Sequence, residues 1–216
     1  MGETAAKIEP IYSTIFGNSA DVMAAIFNPQ LTYAPKPGSV IADMTYGRGV
    51  FWKKINASDY TILGSDIVDK PGIALRQDAR QPALKDGSCD VVVLDPPFGN
   101  NSTVPRKGGM VKSYNLMSLM TPQQVIMWYI EAIRGAVYLV KPQGLIVVKC
   151  QDCVNNGRQY WMSNCVFEEG SLKCECLDRF VLIPPTRPNL RHPDRPQQHA
   201  RKWGSTFWVF RKRKGA

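Results

Sequence analysis

No apolar run in this chain approaches the ~20 residues that a helix needs to span a bilayer. The start, Met1-Gly2-Glu3-Thr4-Ala5-Ala6, lacks the apolar segment of a secretory leader, and Ala6 stands where a myristoylation signal carries Ser or Thr. These absences set the expectation of a cytoplasmic protein. No internal repeat is evident. The dinucleotide fingerprint G-x-G-x-x-G is also missing, because Gly47-Arg48-Gly49 runs on to Trp52 where the third glycine would stand. Acidic residues are scarce beside basic ones, 18 against 27, for a net charge of +9. The shortage is local: residues 184–216 hold nine Lys or Arg and one acid, Asp194, a net of +8 that leaves +1 for residues 1–183. A basic tail on a near-neutral body points to a polyanion partner rather than to general solubility.

A standard zinc knuckle is lacking as well. Of the six cysteines, Cys150-x-x-Cys153 follows the apolar run Leu145-Ile146-Val147-Val148, where a small buried thiol is the ordinary expectation. Cys174-x-Cys176 has the wrong spacing for a C-x₂-C pair, so no metal site is expected. Disulfides do not suit a cytoplasmic protein. With 44% hydrophobic and 21% charged residues, the chain has the composition of a folded protein, and residues 1–216 are expected to form a single domain.

What is present is a set of acids at strand ends. The run Val91-Val92-Val93-Leu94 delivers Asp95-Pro96-Pro97-Phe98. Two prolines stiffen the turn and remove two backbone donors, which leaves carbonyls free to accept. A carboxylate, a free carbonyl and an aromatic ring together suit an exocyclic amine on a flat base: Asp95 and Pro96 accept the two N–H protons and Phe98 stacks. Upstream, Val40-Ile41-Ala42-Asp43 leads into Met44-Thr45-Tyr46-Gly47-Arg48-Gly49, a strand, an acid and a tight turn whose glycines allow close backbone approach. The strand Tyr60-Thr61-Ile62-Leu63-Gly64-Ser65-Asp66 ends in an acid suited to ribose hydroxyls, with Ile67 next in line. Asp78 and Ala79 follow Leu75-Arg76-Gln77 and are placed beside an adenine amino group. Each acid alone reads as a solvated strand end; three in order before D-P-P-F make a stronger signal.

On these residues the chain resembles class I S-adenosylmethionine-dependent amino-methyltransferases that modify N6 of adenine or N4 of cytosine. The resemblance covers roughly residues 40 to 150. It implies a Rossmann-like α/β fold: a mostly parallel seven-stranded sheet with one antiparallel strand and helices on both faces. It assigns Asp43, Met44, Thr45, Tyr46, Gly47, Gly49, Asp66, Ile67, Asp78, Ala79 and Asp95 to S-adenosylmethionine, and Asp95, Pro96, Pro97 and Phe98 to catalysis. Met44-Thr45 stand where the family often has Pro-Phe, a partial departure. An Asp at the head of the tetrapeptide favours adenine, and small stand-alone members of this kind occur in phages. The implied activity is therefore methylation of adenine N6 in DNA, in a bacterial or phage-infected cell. RNA exocyclic-amine methylation and a non-catalytic nucleic-acid-binding subunit are the alternatives, with protein methylation less favoured by the basic tail.

The chain organises around that core. Residues 1–38 form an N-terminal extension with a short helix expected from Asn18 to Phe27. Strands are expected near 40–45, 60–66, 73–76, 89–95, 144–150, 178–183 and 205–212. The clearest helix spans 122–140, with Thr121 as N-cap, Pro122 at N1 and Gln124 completing a capping box. Alternation of strand and helix predicts a parallel sheet, and the last two strands, lacking a helix between them, require one antiparallel strand. Two long loops, 99–120 and 184–204, are expected on the ligand side of the sheet. They carry the candidate nucleic-acid contacts Arg106, Lys107, Lys112, Tyr114, Arg191, His199, Arg201 and Lys202. The run Arg211-Lys212-Arg213-Lys214 reads as a solvated terminus.

Overall fold

The computed structural model describes residues 9–69, 71–96, 120–186, 198–200 and 202–216. Its strands are β1 (Thr14–Phe16), β2 (Val40–Asp43), β3 (Thr61–Asp66), β4 (Leu75–Arg76), β5 (Cys89–Leu94), β6 (Val140–Cys150), β7 (Cys153–Asn155), β8 (Arg158–Tyr160), β9 (Cys174–Ile183) and β10 (Ser205–Lys212). The α-helices are α1 (Ser19–Ile26), α2 (Pro122–Leu139) and α3 (Met162–Lys173). Eight strands form one sheet in the order β1-β9-β10-β6-β5-β2-β3-β4, while β7 and β8 make a separate hairpin. Strand β10 is antiparallel to both β6 and β9, and every other pair in the large sheet is parallel. All seven expected strands are present, with β10 as the antiparallel member. The eighth, β1, comes from the N-terminal extension and pairs Thr14 with Val181 and Phe16 with Ile183.

The centre of the sheet is apolar on both faces, as a parallel sheet covered on both sides requires. Val92 and Leu94 of β5, with Ile146 and Val148 of β6, face α2 and α3. Val91 and Val93, with Leu145 and Val147, face α1 and a short 3₁₀ turn, Val50–Trp52. Helix α2 begins on the expected capping box: Thr121 Oγ1 accepts from Gln124 N–H at 3.3 Å and Gln124 Oε1 accepts from Thr121 N–H at 2.8 Å. Asn18 caps α1, accepting from Ala20 N–H at 2.9 Å. Val22, Met23 and Ile26 of α1 are buried against the sheet, so the extension is part of the core.

Two features depart from simple strand–helix alternation. Among the described residues, the links β2–β3, β3–β4 and β4–β5 contain no α-helix. Only 3₁₀ turns occur there, at Val50–Trp52 and Ala57–Asp59. Helix α1, placed before the first expected strand, packs on the 3₁₀ turn Val50–Trp52 and β9, in one apolar cluster with Ile41 and Val93. Helix α3 was not expected either. Its first-turn Ser163 N–H and Oγ donate to Asp152 at 2.9 and 3.1 Å, a cap from eleven residues upstream that no local motif announces.

The C-terminal basic run is not a solvated terminus. Lys212 is buried, and its Nζ donates to the carbonyls of Val137 at 2.8 Å and Val140 at 3.0 Å. Arg213 Nη1 donates to the Ser171 and Leu172 carbonyls at 3.0 and 3.4 Å. The two cations thus close the carboxyl ends of α2 and α3, where orphan carbonyls and the helix dipole favour positive charge. Lys212→Met keeps the stem and removes the ammonium, leaving buried carbonyls unpaired. In urea denaturation it should lower the unfolding free energy by about 1.5–3 kcal/mol, whereas Lys214→Ala at an exposed position should change it by less than ~0.5 kcal/mol.

Candidate active site

Strands β2, β3, β5, β6 and β9 all end at the same edge of the sheet, because each is parallel to the others through its neighbours. Asp43, Asp66 and Asp95 therefore emerge together. Each is held in a different way.

Asp43 is buried. Its Oδ2 accepts from Trp52 Nε1–H at 2.8 Å and its Oδ1 from Thr45 N–H at 3.1 Å. Burial pushes its carboxyl up to about 7; the bonds from Trp52 and Thr45 oppose that rise, and repulsion from Asp95 and Asp66 adds to it. Beneath it, Ser65 Oγ donates to the Asp43 carbonyl at 3.2 Å and accepts from Gln77 Nε2 at 2.9 Å, a polar tie between β2, β3 and the segment after β4.

The glycine turn is locked onto β3. Gly47 (φ 57°) and Gly49 (φ 63°) take the left-handed conformation that glycine tolerates best. Gly47 N–H donates to Asp66 Oδ2 at 3.1 Å, and Val68 N–H donates to Asp66 Oδ1 at 3.1 Å. The Tyr46 ring lies in a slot floored by Gly64, where a Cβ would come within 2.6 Å of the ring. Beside Asp66, Ile67 and Val68 leave 40% and 38% of their surface exposed, an apolar step at the strand end. Asp78 is engaged elsewhere: Arg80 Nε and Nη2 grip its carboxylate at 3.0 and 2.6 Å and hold it below the usual range. Its neighbour Ala79 is buried.

Asp95 touches the glycine turn directly, since its N–H donates to Thr45 Oγ1 at 2.6 Å. Its carboxylate meets a residue that the sequence reading missed. Lys149 Nζ lies 3.0 Å from Asp95 Oδ1 and 3.1 Å from Oδ2. Strand register explains the meeting: Val93 is paired with Val147, so Asp95 and Lys149 lie two residues further along adjacent parallel strands on the same face. No linear motif connects positions 95 and 149. Pro96 is buried, while Pro97 and Phe98 lie outside the described residues.

The hairpin β7–β8 follows the end of β6 and was also not anticipated. Asn156 (φ 47°) and Gly157 (φ 71°) form its tight turn. The described end of the basic loop rests on it. His199 Nε2 is 2.8 Å from the Gly157 carbonyl, and Lys202 Nζ is 4.5 Å above the half-exposed Trp161 ring. Arg106, Lys107, Lys112, Tyr114, Arg191 and Arg201 lie outside the described residues. Among the described residues, no helix is long and apolar enough to cross a membrane.

No protein-family model and no curated protein matches the chain. Solved structures do. TrmN from Thermus thermophilus superposes with a TM-score of 0.53 at 13% identity, over 89% of this chain and 48% of that one. A SAM-dependent methyltransferase from Methanosarcina mazei superposes with a TM-score of 0.51 at 11% identity, over 86% of this chain and 97% of that one. The chain thus spans about half the length of the first and nearly all of the second. The fold is the Rossmann-like fold of class I methyltransferases, with the strand order and single antiparallel strand described above.

The raised Asp43 carboxyl makes a stability prediction. A carboxyl raised on folding binds its proton more tightly in the folded chain, so stability falls as pH rises from about 4 to about 7 and levels off above. Asp43→Asn removes that dependence. The free-energy difference between wild type and variant, from urea titrations at several pH values, should change across this window by at most ~1.4 kcal/mol per pH unit. A constant difference would show that Asp43 does not titrate there.

Proposed function

We propose that this protein is an S-adenosylmethionine-dependent methyltransferase acting on the exocyclic N6 of adenine in DNA. One observation carries the reading: the 2.6 Å bond from Asp95 N–H to Thr45 Oγ1 ties the head of the D-P-P-F segment to the glycine turn. A donor site on that turn and a target site on Asp95 would then be immediate neighbours, as direct transfer requires.

The residues suit the donor's nucleoside. Asp66 stands at the end of β3, where an acid suits ribose hydroxyls, and accepts the backbone N–H groups of Gly47 and Val68. Ile67 and Val68 offer apolar surface for a purine face. Asp78 is the weaker element, because Arg80 already claims its carboxylate. Bound S-adenosylmethionine supplies a methyl group on a positively charged sulfur, and transfer forms a nitrogen–carbon bond as the carbon–sulfur electron pair returns to sulfur. The amine's lone pair is delocalised into the base. Asp95 and the Pro96 carbonyl favour a more nucleophilic nitrogen by accepting its two N–H bonds, and the proton released after transfer passes to Asp95 or to solvent. Phe98 would hold the unstacked base, worth on the order of 1–3 kcal/mol. The target must be flipped out of a duplex or already unpaired.

Tritiated-methyl transfer to duplex DNA, single-stranded DNA and RNA, followed by nucleoside mass spectrometry, tests the reading. N6-methyladenine in DNA is the expected product; label confined to RNA would move the assignment to an RNA amine. Asp95→Ala should abolish transfer while cofactor binding survives. Gly47→Val, a β-branched residue forced into the left-handed region, should weaken calorimetric affinity for S-adenosylmethionine tenfold or more, about 1.4 kcal/mol.

We assign docking of the nucleic-acid backbone to residues 184–204. The support is the concentration of cations there and the seating of His199 and Lys202 beside a hairpin at the ligand edge. Affinity for duplex DNA should fall with salt by a log–log slope of about −0.9 per neutralised phosphate. Replacing Arg191, Arg201 and Lys202 with Ala should weaken binding and flatten that slope without changing cofactor affinity. A triple variant with wild-type affinity and slope would shift the assignment to Arg106, Lys107 and Lys112.

A further inference from the structure

Lys149, like Lys212, is a lysine largely withdrawn from water. Its side chain is only 11% exposed, on a face of β6 whose other members, Leu145 and Val147, are core residues. The ammonium lies 5.7 Å from the Phe51 ring centroid and 5.8 Å from that of Phe207, an aromatic corner that stabilises a cation weakly and hydrates it poorly. A cation taken this far from water costs several kcal/mol unless it is paired. Its pairing is with both oxygens of Asp95, the group that the proposed mechanism uses as acceptor. A core lysine that served packing alone would be replaced more cheaply by a methionine, since apolar substitutes for buried ion pairs are often neutral or stabilising.

We propose that Lys149 is a positioning residue for Asp95: it fixes and charge-balances the carboxylate from the sheet side, so that the carboxylate's remaining acceptor capacity serves the target amine. The proposal rests on the methyltransferase reading. Asp95 is then clamped at two points, by Thr45 through its backbone and by Lys149 through its side chain. A carboxylate has about four lone-pair sites, and the ammonium occupies one on each oxygen. Without the clamp, Asp95 would be a partly buried acid facing two other acids or potential acids. Asp43 of β2 repels it, and the buried Tyr129 hydroxyl of α2 comes within its electrostatic reach. Burial raises the Asp95 carboxyl and Lys149 is the group that lowers it, so removing Lys149 moves its titration upward. A protonated Asp95 has lost part of its acceptor capacity and cannot take the amine's proton.

The test uses full-length Lys149→Met, which keeps the stem's bulk and loses the charge, and Lys149→Arg, which restores a cation. The rate of transfer to the nucleic acid that the wild type methylates is measured against pH, with calorimetric affinity for S-adenosylmethionine as control. The Met variant should shift the acidic limb of the rate profile up by roughly 1–3 pH units. Cofactor affinity should stay within about twofold, and the Arg variant should bring the limb back toward wild type. A second readout is independent of activity: carboxyl-carbon NMR titration of Asp95, assigned by loss of its signal in Asp95→Asn, should show the same displacement. Identical midpoints in wild type and Lys149→Met would overturn the role of Lys149 and leave the methyltransferase reading intact. A wild type that methylates no nucleic acid would overturn the reading instead. If Lys149→Met does not fold, Lys149→Gln replaces it, and an Asp95 found protonated at pH 7 in the wild type overturns the proposal by itself.

Discussion

A carboxylate that leaves a strand buried on both faces has to find a partner where it emerges, and the edge at which these parallel strands end is organised by that requirement. Asp43, Asp66 and Asp95 end three neighbouring parallel strands. None is solvated freely. Asp43 is satisfied by an indole and a backbone N–H, Asp66 by two backbone N–H groups, Asp95 by an ammonium. The partners are spread over several elements, so satisfying the acids also fixes the glycine turn, the 3₁₀ turn and the end of β6 relative to one another. The local rigidity of this edge follows from partnering three charges, with no separate scaffold.

The same requirement accounts for the sparing use of helix. Where an α-helix would cover β2 and β3, this chain places the ring of Tyr46 on Gly64 and the indole of Trp52 on Asp43. Two large aromatics do the covering over a few residues, and Trp52 supplies a hydrogen-bond donor that an aliphatic helix face could not. The remainder of that face is closed by α1. Its residues Val22, Met23 and Ile26 reach the strands that carry Ile41 and Val93. The N-terminal segment thus contributes to this face of the core through α1, and β1 extends the sheet beside β9 from the same segment.

Much of the fold was legible because its signals are local. Strand runs such as Val91 to Leu94, the capping box at Thr121 and Gln124, and the want of a helix between β9 and β10 are readable within a few residues. The grouping of acids around the glycine turn was legible where residue type and strand end coincide, at Asp43, Gly47, Asp66 and Asp95. What stayed hidden depends on register or on distant partners. Lys149 reads as one cation after an apolar run until β6 is aligned with β5. Helix α3 has a weak apolar stripe, and its cap comes from Asp152, across an intervening hairpin. Asp78 reads as a free acid until Arg80 is seen folded back onto it.

The basic tail shows most clearly how charge counted along a sequence differs from charge available at a surface. The net +8 of residues 184–216 treats every cation alike. In the structure, Lys212 and Arg213 neutralise the carboxyl ends of α2 and α3 and so stabilise the fold. A phosphate backbone could recruit Lys212 only by uncapping a helix at a cost of more than one hydrogen bond. Setting these two aside leaves seven cations against Asp194, five of them between Arg187 and Lys202 in the sequence that links β9 to β10. The electrostatic argument for a polyanion partner thus rests on a smaller charge, concentrated in one stretch of sequence between β9 and β10.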